Sequence, residues 1–434
     1  MDTLKIPKSV TKQHIAFIGT TGTGKTQGMM QLFDNLLNTK KIITDVKGDY
    51  TSIYYDNQKD YIFCPLDKRT IEWNIFNDIE TQFDVSLIAN ALIPENPKAN
   101  DPYWDNAARN ILEAVLLYLS KYFEKPTNKD LWEHISSFEN IVEIKENDEE
   151  CRALLDYYIN TKDQKHTREV LGTILSKSSV KNLKLLINMD GDFSFKKWIE
   201  DDDIENHIFM LSNPEIIDLV MPIYRVAIEL MAGKLLSMED DSNREIYFWL
   251  DEFPRLNKLK KIIDVFTLAR SKGGRVVYSF QEFGDLESVY GKELARVIIS
   301  NTNTLFLFRT INAEYFENLL GKQEVLEYSE SRSMGGADMA DRINASKQKK
   351  LKPLVLASEI QRLENLEFYI KTIAPDITRA KFVYIPREKK NEPFVKIERK
   401  IEKVINKKEK EVKKLEEELE QNQNIDDMDD VLSI

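Results

Sequence analysis

The chain has 434 residues and a formal net charge of −12, with 42% hydrophobic and 31% charged residues. This composition is that of an ordinary soluble globular protein, and the length allows two or three domains. The acidic balance counts against a protein that coats DNA with its general surface, but it is compatible with a ring that has a locally basic pore.

The first predicted element is a phosphate-binding loop between a strand and a helix. Apolar residues 15–18 predict a buried strand, and apolar residues at helical spacing from Met29 to Leu37 predict a helix. Between them, the glycines of GTTGTGKT let backbone N–H groups turn toward phosphates at a helix N-terminus. We expect Lys25 to reach the β- and γ-phosphates of ATP and the Thr26 hydroxyl to hold Mg²⁺. The predicted nucleotide-binding residues are Gly19, Thr20, Thr21, Gly22, Thr23, Gly24, Lys25, Thr26 and Gln27.

The pattern changes twice further along the chain. KIITDVKGDY (41–50) and KDYIFCPL (59–66) predict strands, but from residue 83 amphipathic helices such as WDNAARNILEAVLLYLSKYF (104–123) take over. Strands and helices alternate again from residue 206, and the near-continuous apolar strands indicate a parallel sheet covered on both faces. The predicted fold is an α/β domain with a mainly parallel sheet, interrupted by an all-α inserted domain.

The predicted boundaries are 1–82 and 191–388 for the two parts of the nucleotide-binding domain and 83–190 for the all-α insertion. Residues 329–350 lack periodicity, and we interpret them as a mobile loop. Residues 389–434 contain a highly charged helix followed by an acidic tail. The apolar spacing in that helix is too irregular to predict a long coiled coil.

An acidic pair follows the apolar strand at 246–250, which is the Walker B pattern. We expect Asp251 to hold the Mg²⁺ shell and Glu252 to orient and polarise the attacking water. Another buried strand ends in Gln281, whose amide can bond both the γ-phosphate and the water. Arg270 and Arg309 are candidates for an arginine that a neighbouring subunit supplies to the transition state, and the residues alone do not choose between them.

Other cofactors and a membrane span are not indicated. Two cysteines, Cys64 and Cys151, make no disulfide framework, as in proteins of a reducing cytoplasm. The four histidines have no ligand spacing, so Mg²⁺ is the only metal that we expect. The best apolar run, ILEAVLLYL at 111–119, is half the roughly 18 residues that a bilayer span needs. We expect a soluble polypeptide without a secretory signal.

The combination of motifs resembles the type IV secretion coupling proteins, the ATPases that deliver DNA to conjugative transfer channels. The block from 249 to 309 is the most specific part of this resemblance, whereas the Walker motifs are generic. The matching segments are GTTGTGKT, DVKGDY, YWDNAAR, FSFKKWIEDDD, WLDEFPRLNKLKKI, LARSKGGRVVYSFQEFGDLESVYG, ISNTNTLFLFR and LASEIQRLENLEFYI.

The resemblance implies a RecA-like P-loop NTPase domain, a membrane-distal helical domain, a homo-hexamer and ATP-driven work on DNA. It places Lys25 and Thr26 on the family's phosphate loop, Asp251 and Glu252 on its Walker B pair, and Gln281 on its sensor position. It also favours Arg270 over Arg309 as the arginine presented to the adjacent subunit.

The sequence departs from the family pattern in two places. The family usually begins with transmembrane helices, whereas this chain begins almost directly at the phosphate loop. We expect either a naturally soluble version or a chain from which an anchor has been removed, and membrane docking would then depend on another protein. The family's DPKGE-type motif appears here as Asp45-Val-Lys-Gly-Asp49.

Three functions are open at this point. The first, which the helical insertion and the 193–203 block favour, is a coupling ATPase that moves DNA, or a DNA–protein substrate, toward a secretion channel. Its expected partners are a relaxase and secretion-channel proteins, and its expected location is the cytoplasm, including the inner face of the bacterial membrane. The second is a HerA/FtsK-type double-stranded DNA translocase outside secretion, and the third is a receptor platform for secreted proteins. Candidate DNA contacts are Lys258, Lys260, Lys261 and KQKKLK (347–352).

Overall fold

The computed structural model describes residues 7–95, 102–160, 162–202, 205–333, 342–374 and 376–397. The elements below belong to one compact unit, Met1–Val395. The predicted charged C-terminal helix and acidic tail fall almost wholly beyond residue 397, outside the described residues.

A nine-stranded sheet forms the centre of the described structure, in the order β11-β10-β7-β1-β6-β5-β2-β4-β3. Neighbours from β7 to β3 are parallel, whereas β10 is antiparallel to both β7 and β11. Every residue of β1, β2 and β4 to β7 is buried, because helices cover both faces of the sheet. This sheet confirms the predicted α/β fold. The strands of the described chain are β1 Ile15–Ile18, β2 Lys40–Asp45, β3 Tyr61–Phe63, β4 His207–Leu211, β5 Ile246–Leu250, β6 Gly274–Phe280, β7 Thr304–Leu307, β8 Lys322–Ser333, β9 Arg342–Pro353, β10 Glu367–Lys371 and β11 Thr378–Lys381.

The helices fall into two groups, one around the sheet and one inserted between β3 and β4. Around the sheet are α1 Lys8–Thr11, α2 Lys25–Asp34, α3 Asp49–Tyr54, α12 Ile217–Ser237, α13 Lys260–Leu268, α14 Phe283–Tyr290, α15 Lys292–Ser300, α16 Ala313–Leu320 and α17 Ala357–Gln361. Between β3 and β4 are α4 Gln82–Leu92, α5 Tyr103–Tyr122, α6 Asn128–Ser136, α7 Phe138–Asn147, α8 Glu149–Leu155, α9 Gln164–Ser176, α10 Ser178–Lys181 and α11 Phe195–Glu200. Short 3₁₀ helices cover Ile75–Asp78, Asn182–Leu186 and Phe253–Leu256. Within the described ranges, no helix combines the length and the apolar character that a membrane crossing requires.

Two buried polar side chains attach the helical insertion to the sheet domain. The Asn128 amide donates to Trp73 O (2.8 Å) and Met189 O (2.6 Å), which joins the two ends of the insertion. On α12, Arg225 donates to Ala91 O (2.9 Å) and Leu92 O (3.2 Å) at the last turn of α4. The predicted helical insertion is confirmed, while the domain boundaries given above stay predictions.

The prediction of a mobile loop at 329–350 is wrong for residues 329–333 and 342–350, which belong to an antiparallel hairpin of β8 and β9, while residues 334–341 lie outside the described residues. Ion pairs cross the hairpin from Lys349 to Glu324 (2.7 Å) and from Lys350 to Glu327 (2.8 Å). None of the described side chains in the hairpin is fully buried, and most of its residues are polar, so its few apolar residues show no alternation. Hydrophobic periodicity therefore does not reveal these strands.

Candidate nucleotide site

The phosphate loop is held at the carboxyl edge of the sheet by its backbone. Gly19 N donates to Phe280 O at 3.3 Å, and Thr20 N donates to Arg309 O at 2.9 Å, so the loop is bonded to the last residue of β6 and to the chain that follows β7. Gly24 has a φ of 109°. A Cβ on Gly24 would lie 2.6 Å from Leu366 Cδ2. Both the left-handed backbone and the close approach of Leu366 require glycine here.

Lys25 lies folded back over this loop. Its Nζ donates to Gly19 O (2.5 Å) and Thr20 O (3.2 Å), and the residue is only 8% exposed. Burial lowers the pKa of Lys25, and the negative charges of Glu252 and Asp251 oppose that shift. The ammonium group thus lies between the loop that would cradle phosphates and the acidic pair.

The acidic pair follows β5, and a serine on the neighbouring strand orders it. The Ser279 hydroxyl donates to Asp251 Oδ1 and accepts from Glu252 N at 3.0 Å. Glu252 adopts a left-handed backbone (φ 54°, ψ 47°), an uncommon conformation for a non-glycine residue that occurs often at functional sites. Burial raises the pKa of Asp251, and the hydrogen bond from Ser279 opposes that rise.

Gln281 connects the phosphate loop with the acidic pair. Its Oε1 accepts from the Thr21 hydroxyl at 3.2 Å, while its Nε2 lies 3.4 Å and 3.5 Å from the two carboxylate oxygens of Glu252. The predicted residues on β1, β5 and β6 therefore converge at one edge of the sheet, as parallel strands require.

Arg270 lies at the opposite edge of the sheet. It precedes β6, whereas Gln281 follows β6 directly, and the seven residues of β6 that lie between them span about 20 Å. Arg270 is exposed and lines a crevice of about 210 Å³ together with Lys12 and the buried Arg275. Arg270 is thus remote from the phosphate loop of its own chain.

Arg309 lies beside the phosphate loop, but its side chain is engaged elsewhere in the same chain. Its guanidinium donates to Leu363 O at 3.1 Å and to Asn365 Oδ1 at 3.0 Å. Of the two candidate arginines, Arg270 is therefore the one whose side chain is exposed for a neighbouring subunit to meet.

Two residues of this site were not among the predicted site residues. Besides Ser279, the Asp45 carboxylate accepts from Asp49 N (3.0 Å), Thr51 N (2.8 Å) and the Thr51 hydroxyl (2.8 Å), and so orders the turn before α3. Burial raises the pKa of Asp45 to about 6. The acidic residue that ends β2 was visible in the sequence, but its capping role depends on the turn geometry.

The donor chemistry at this edge fits Mg²⁺. Hydroxyl and carboxylate oxygens are the ligands that this hard cation prefers, and it keeps several of its sites for water and substrate phosphates. Thr26 and Asp251 supply one such group each. In the described part of the chain, no group of three or more histidine, cysteine, aspartate or glutamate residues could form an all-protein metal cage.

A family profile for the type IV secretion-system coupling protein DNA-binding domain matches residues 1–382. The chain belongs to this family. It is 26% identical over 387 residues to coupling protein TraD of Escherichia coli (strain K12), a match that covers 84% of this chain and 51% of TraD. The coupling-protein chain described here thus spans about half the length of that relative.

Solved structures show the same fold at low sequence identity. The plasmid coupling protein TrwB in complex with the non-hydrolysable ATP analogue ADPNP has a TM-score of 0.75 and 21% identity, over 91% of this chain and 90% of that chain. The TrwB complex with ADP and Mg²⁺ has a TM-score of 0.73 and 21% identity, over 90% of this chain and 89% of that chain. VirB4 of Thermoanaerobacter pseudethanolicus has a TM-score of 0.52 and 11% identity, over 86% of this chain and 90% of that chain. The architecture of mixed, mainly parallel sheet and helical insertion is thus that of TrwB.

Proposed function

We propose that this coupling protein hydrolyses ATP with Mg²⁺ and uses the energy to move DNA, or a DNA–protein substrate, toward a type IV secretion channel. The observation that carries the proposal is the bridge of Gln281 between Thr21 and Glu252. A side chain in contact with both the phosphate loop and the acidic pair can report whether the γ-phosphate is present. Family membership supports DNA as the substrate class.

The residues divide the work of phosphoryl transfer between them. Backbone N–H groups of residues 19–26 would bind the phosphates, and Lys25 would exchange its bonds to Gly19 O and Thr20 O for phosphate oxygens. Glu252 would accept a hydrogen bond from the attacking water, with its carboxylate oriented by the amide of Gln281. Mg²⁺, held by Thr26 and Asp251, would neutralise charge on the phosphate oxygens. The complex of TrwB with ADP and Mg²⁺ supports a nucleotide and Mg²⁺ as the ligands.

The position of Arg270 supports assembly into a ring, which we propose to be a homo-hexamer. An arginine at the edge opposite the phosphate loop cannot serve its own nucleotide, but it can serve that of a neighbour arranged head to tail. We propose that such a ring works with the relaxase and the secretion-channel proteins. We place it at the inner face of the cell membrane.

A triplex-displacement assay tests the proposal directly. The full chain is added to duplex DNA that carries a third-strand oligonucleotide, and release of that strand is followed with ATP or with a non-hydrolysable analogue. A translocating motor releases the strand only with hydrolysable ATP, and the Lys25→Ala variant releases none. Hydrolysis of ATP without strand release would instead favour the receptor function.

A further inference from the structure

The last described segment of the compact unit, residues 382–395, runs over α2 and α3, the helices that follow the phosphate loop and the Asp45 turn. We call it the strap. It contains no helix or strand, and hydrogen bonds to other parts of the chain fix its path. Most of these bonds join residues that are more than 300 positions apart in sequence.

The first half of the strap lies on α2, the helix that begins in the phosphate loop. Val383 O accepts from Gln31 Nε2 at 2.7 Å. Arg387 donates to Gln27 Oε1 at 3.2 Å and to Asp34 Oδ2 at 2.6 Å, and its side chain is only 9% exposed. The guanidinium therefore holds the last residue of the predicted nucleotide-binding set and, two turns on, the end of the same helix.

The second half of the strap lies against α3, which packs directly on α2 through Tyr54, and against the turn before α3. Asn391 Nδ2 donates to Tyr55 O at 2.7 Å, and Lys390 N donates to Ser52 O at 2.7 Å. Pro393 packs on Gly48 so closely that a Cβ on this glycine would lie 2.4 Å from Pro393 Cβ. The turn that Asp45 orders is thus also held from outside by the strap.

We propose that the strap positions the nucleotide site, with Arg387 and Asn391 as its positioning residues, by holding α2 and α3 in the arrangement that nucleotide binding needs. The inference rests on the proposed function. A side chain that is already fixed loses less conformational freedom when a ligand binds, so release of Gln27 and of the turn weakens binding rather than chemistry.

Nucleotide affinity of the full chain tests the proposal. Arg387→Ala and Asn391→Ala are each expected to raise the Kd for a fluorescent ATP analogue about three- to ten-fold. KM for ATP should rise with it while kcat stays within about twofold of wild type. The fold-increase in Kd of the double variant should be smaller than the product of the two single fold-increases, because both residues act through one segment.

Arg379→Ala is the matched control. Arg379 lies on β11, immediately before the strap, and pairs with Glu367 on the adjacent strand at 2.9 Å. Its substitution therefore removes an exposed arginine and one ion pair but leaves the contacts between the strap and α2 in place. If Arg387→Ala does not fold, Arg387→Lys carries the test, because a lysine keeps the charge beside Asp34 but cannot span Asp34 and Gln27 with a planar fork.

The outcomes separate this proposal from the proposed function. If Arg387→Ala and Asn391→Ala lower the Tm but bind the analogue with wild-type affinity, the strap is merely structural and the proposal is wrong. If the wild-type chain itself binds no nucleotide, it is the proposed function that fails.

Discussion

The hydroxyl of Ser279 links the two acidic residues at the end of β5, because it donates to the Asp251 carboxylate and accepts from the backbone N–H of Glu252. Ser279 lies on β6 and is fully buried, so the register between β5 and β6 sets this contact. The serine acts through Asp251 and Glu252 and is thus a positioning residue.

Ser279→Ala should shift the pH dependence of ATP hydrolysis. The hydrogen bond from Ser279 opposes the rise that burial imposes on the pKa of Asp251, so its loss raises that pKa further. The carboxylate of the nucleotide-free chain would then be protonated at higher pH, and the acidic limb of the kcat/KM profile, which reports the free enzyme, should move upward in pH. Profiles of kcat/KM against pH, at ATP concentrations well below KM, measure this shift. Ser288→Ala, which removes an exposed serine on α14, is the control, and coincident profiles for Ser279→Ala and wild type would contradict the role.

Lys25→Ala and Glu252→Gln should both abolish turnover but differ in binding. Loss of the Lys25 charge removes a direct phosphate contact, so nucleotide binding should weaken along with hydrolysis. Glu252→Gln removes the carboxylate that we propose to orient the attacking water but keeps the size of the side chain, so the nucleotide should bind and hydrolysis should fall by about a hundredfold or more. Parallel measurements of Kd and ATPase rate check both statements. Wild-type turnover in either variant would refute the site assignment.

How much of this site the sequence predicts depends on the range of the contacts. Lys25 and Glu252 sit in local motifs whose strand context can be read directly, and the structure brings them together. Ser279 and Asp45 depend on strand register and turn geometry, which a single sequence does not specify. Arg387 reaches Gln27 across 360 positions, and no local pattern marks such a contact. The β8–β9 hairpin is not predicted because most of its residues are polar and its few apolar residues do not alternate, and strand prediction depends on that alternation.

Arg270 should act in trans. Arg270→Ala should bind nucleotide normally, because its own phosphate loop lies at the other edge of the sheet, but it should hydrolyse ATP poorly. A mixture of Arg270→Ala and Lys25→Ala chains should regain part of the activity, since some interfaces then pair an intact loop with an intact arginine. ATPase rates of the mixture at several ratios make this measurement. No recovery in rings shown to be mixed would contradict the trans role.

Asp45 should make stability depend on pH in a defined direction. Its folded-state pKa of about 6 lies above the ordinary 3.8, so the folded chain binds this proton more tightly than the unfolded chain. The stabilisation is present below the unfolded pKa and is lost as the pH rises through 6. Between about pH 4 and pH 7 the contribution should fall by roughly 2 kcal/mol.

The comparison of wild type with Asp45→Asn isolates that contribution. Urea unfolding gives the free energy of unfolding of each protein across the pH range. The value for wild type minus the value for Asp45→Asn should fall as the pH rises, because the asparagine does not titrate. Asp49→Asn removes a carboxylate from the same turn and controls for the loss of one negative charge. A difference that is constant with pH would show that the Asp45 carboxyl does not titrate in this window.

The acidic balance of the chain bears on where DNA is bound. If DNA is the substrate of a chain with a net charge of −12, it should meet the protein in the assembled pore rather than on the outer surface. Binding by the monomer should then be weak, while DNA should stimulate ATP turnover at protein concentrations that favour rings. The stimulation should fall steeply with salt, because phosphate contacts release counterions, and it should show little sequence preference.

The measurement is the ATPase rate against protein concentration, with single-stranded, double-stranded or no DNA, at two salt concentrations. A rate that is indifferent to DNA across this grid would favour the receptor platform over the motor.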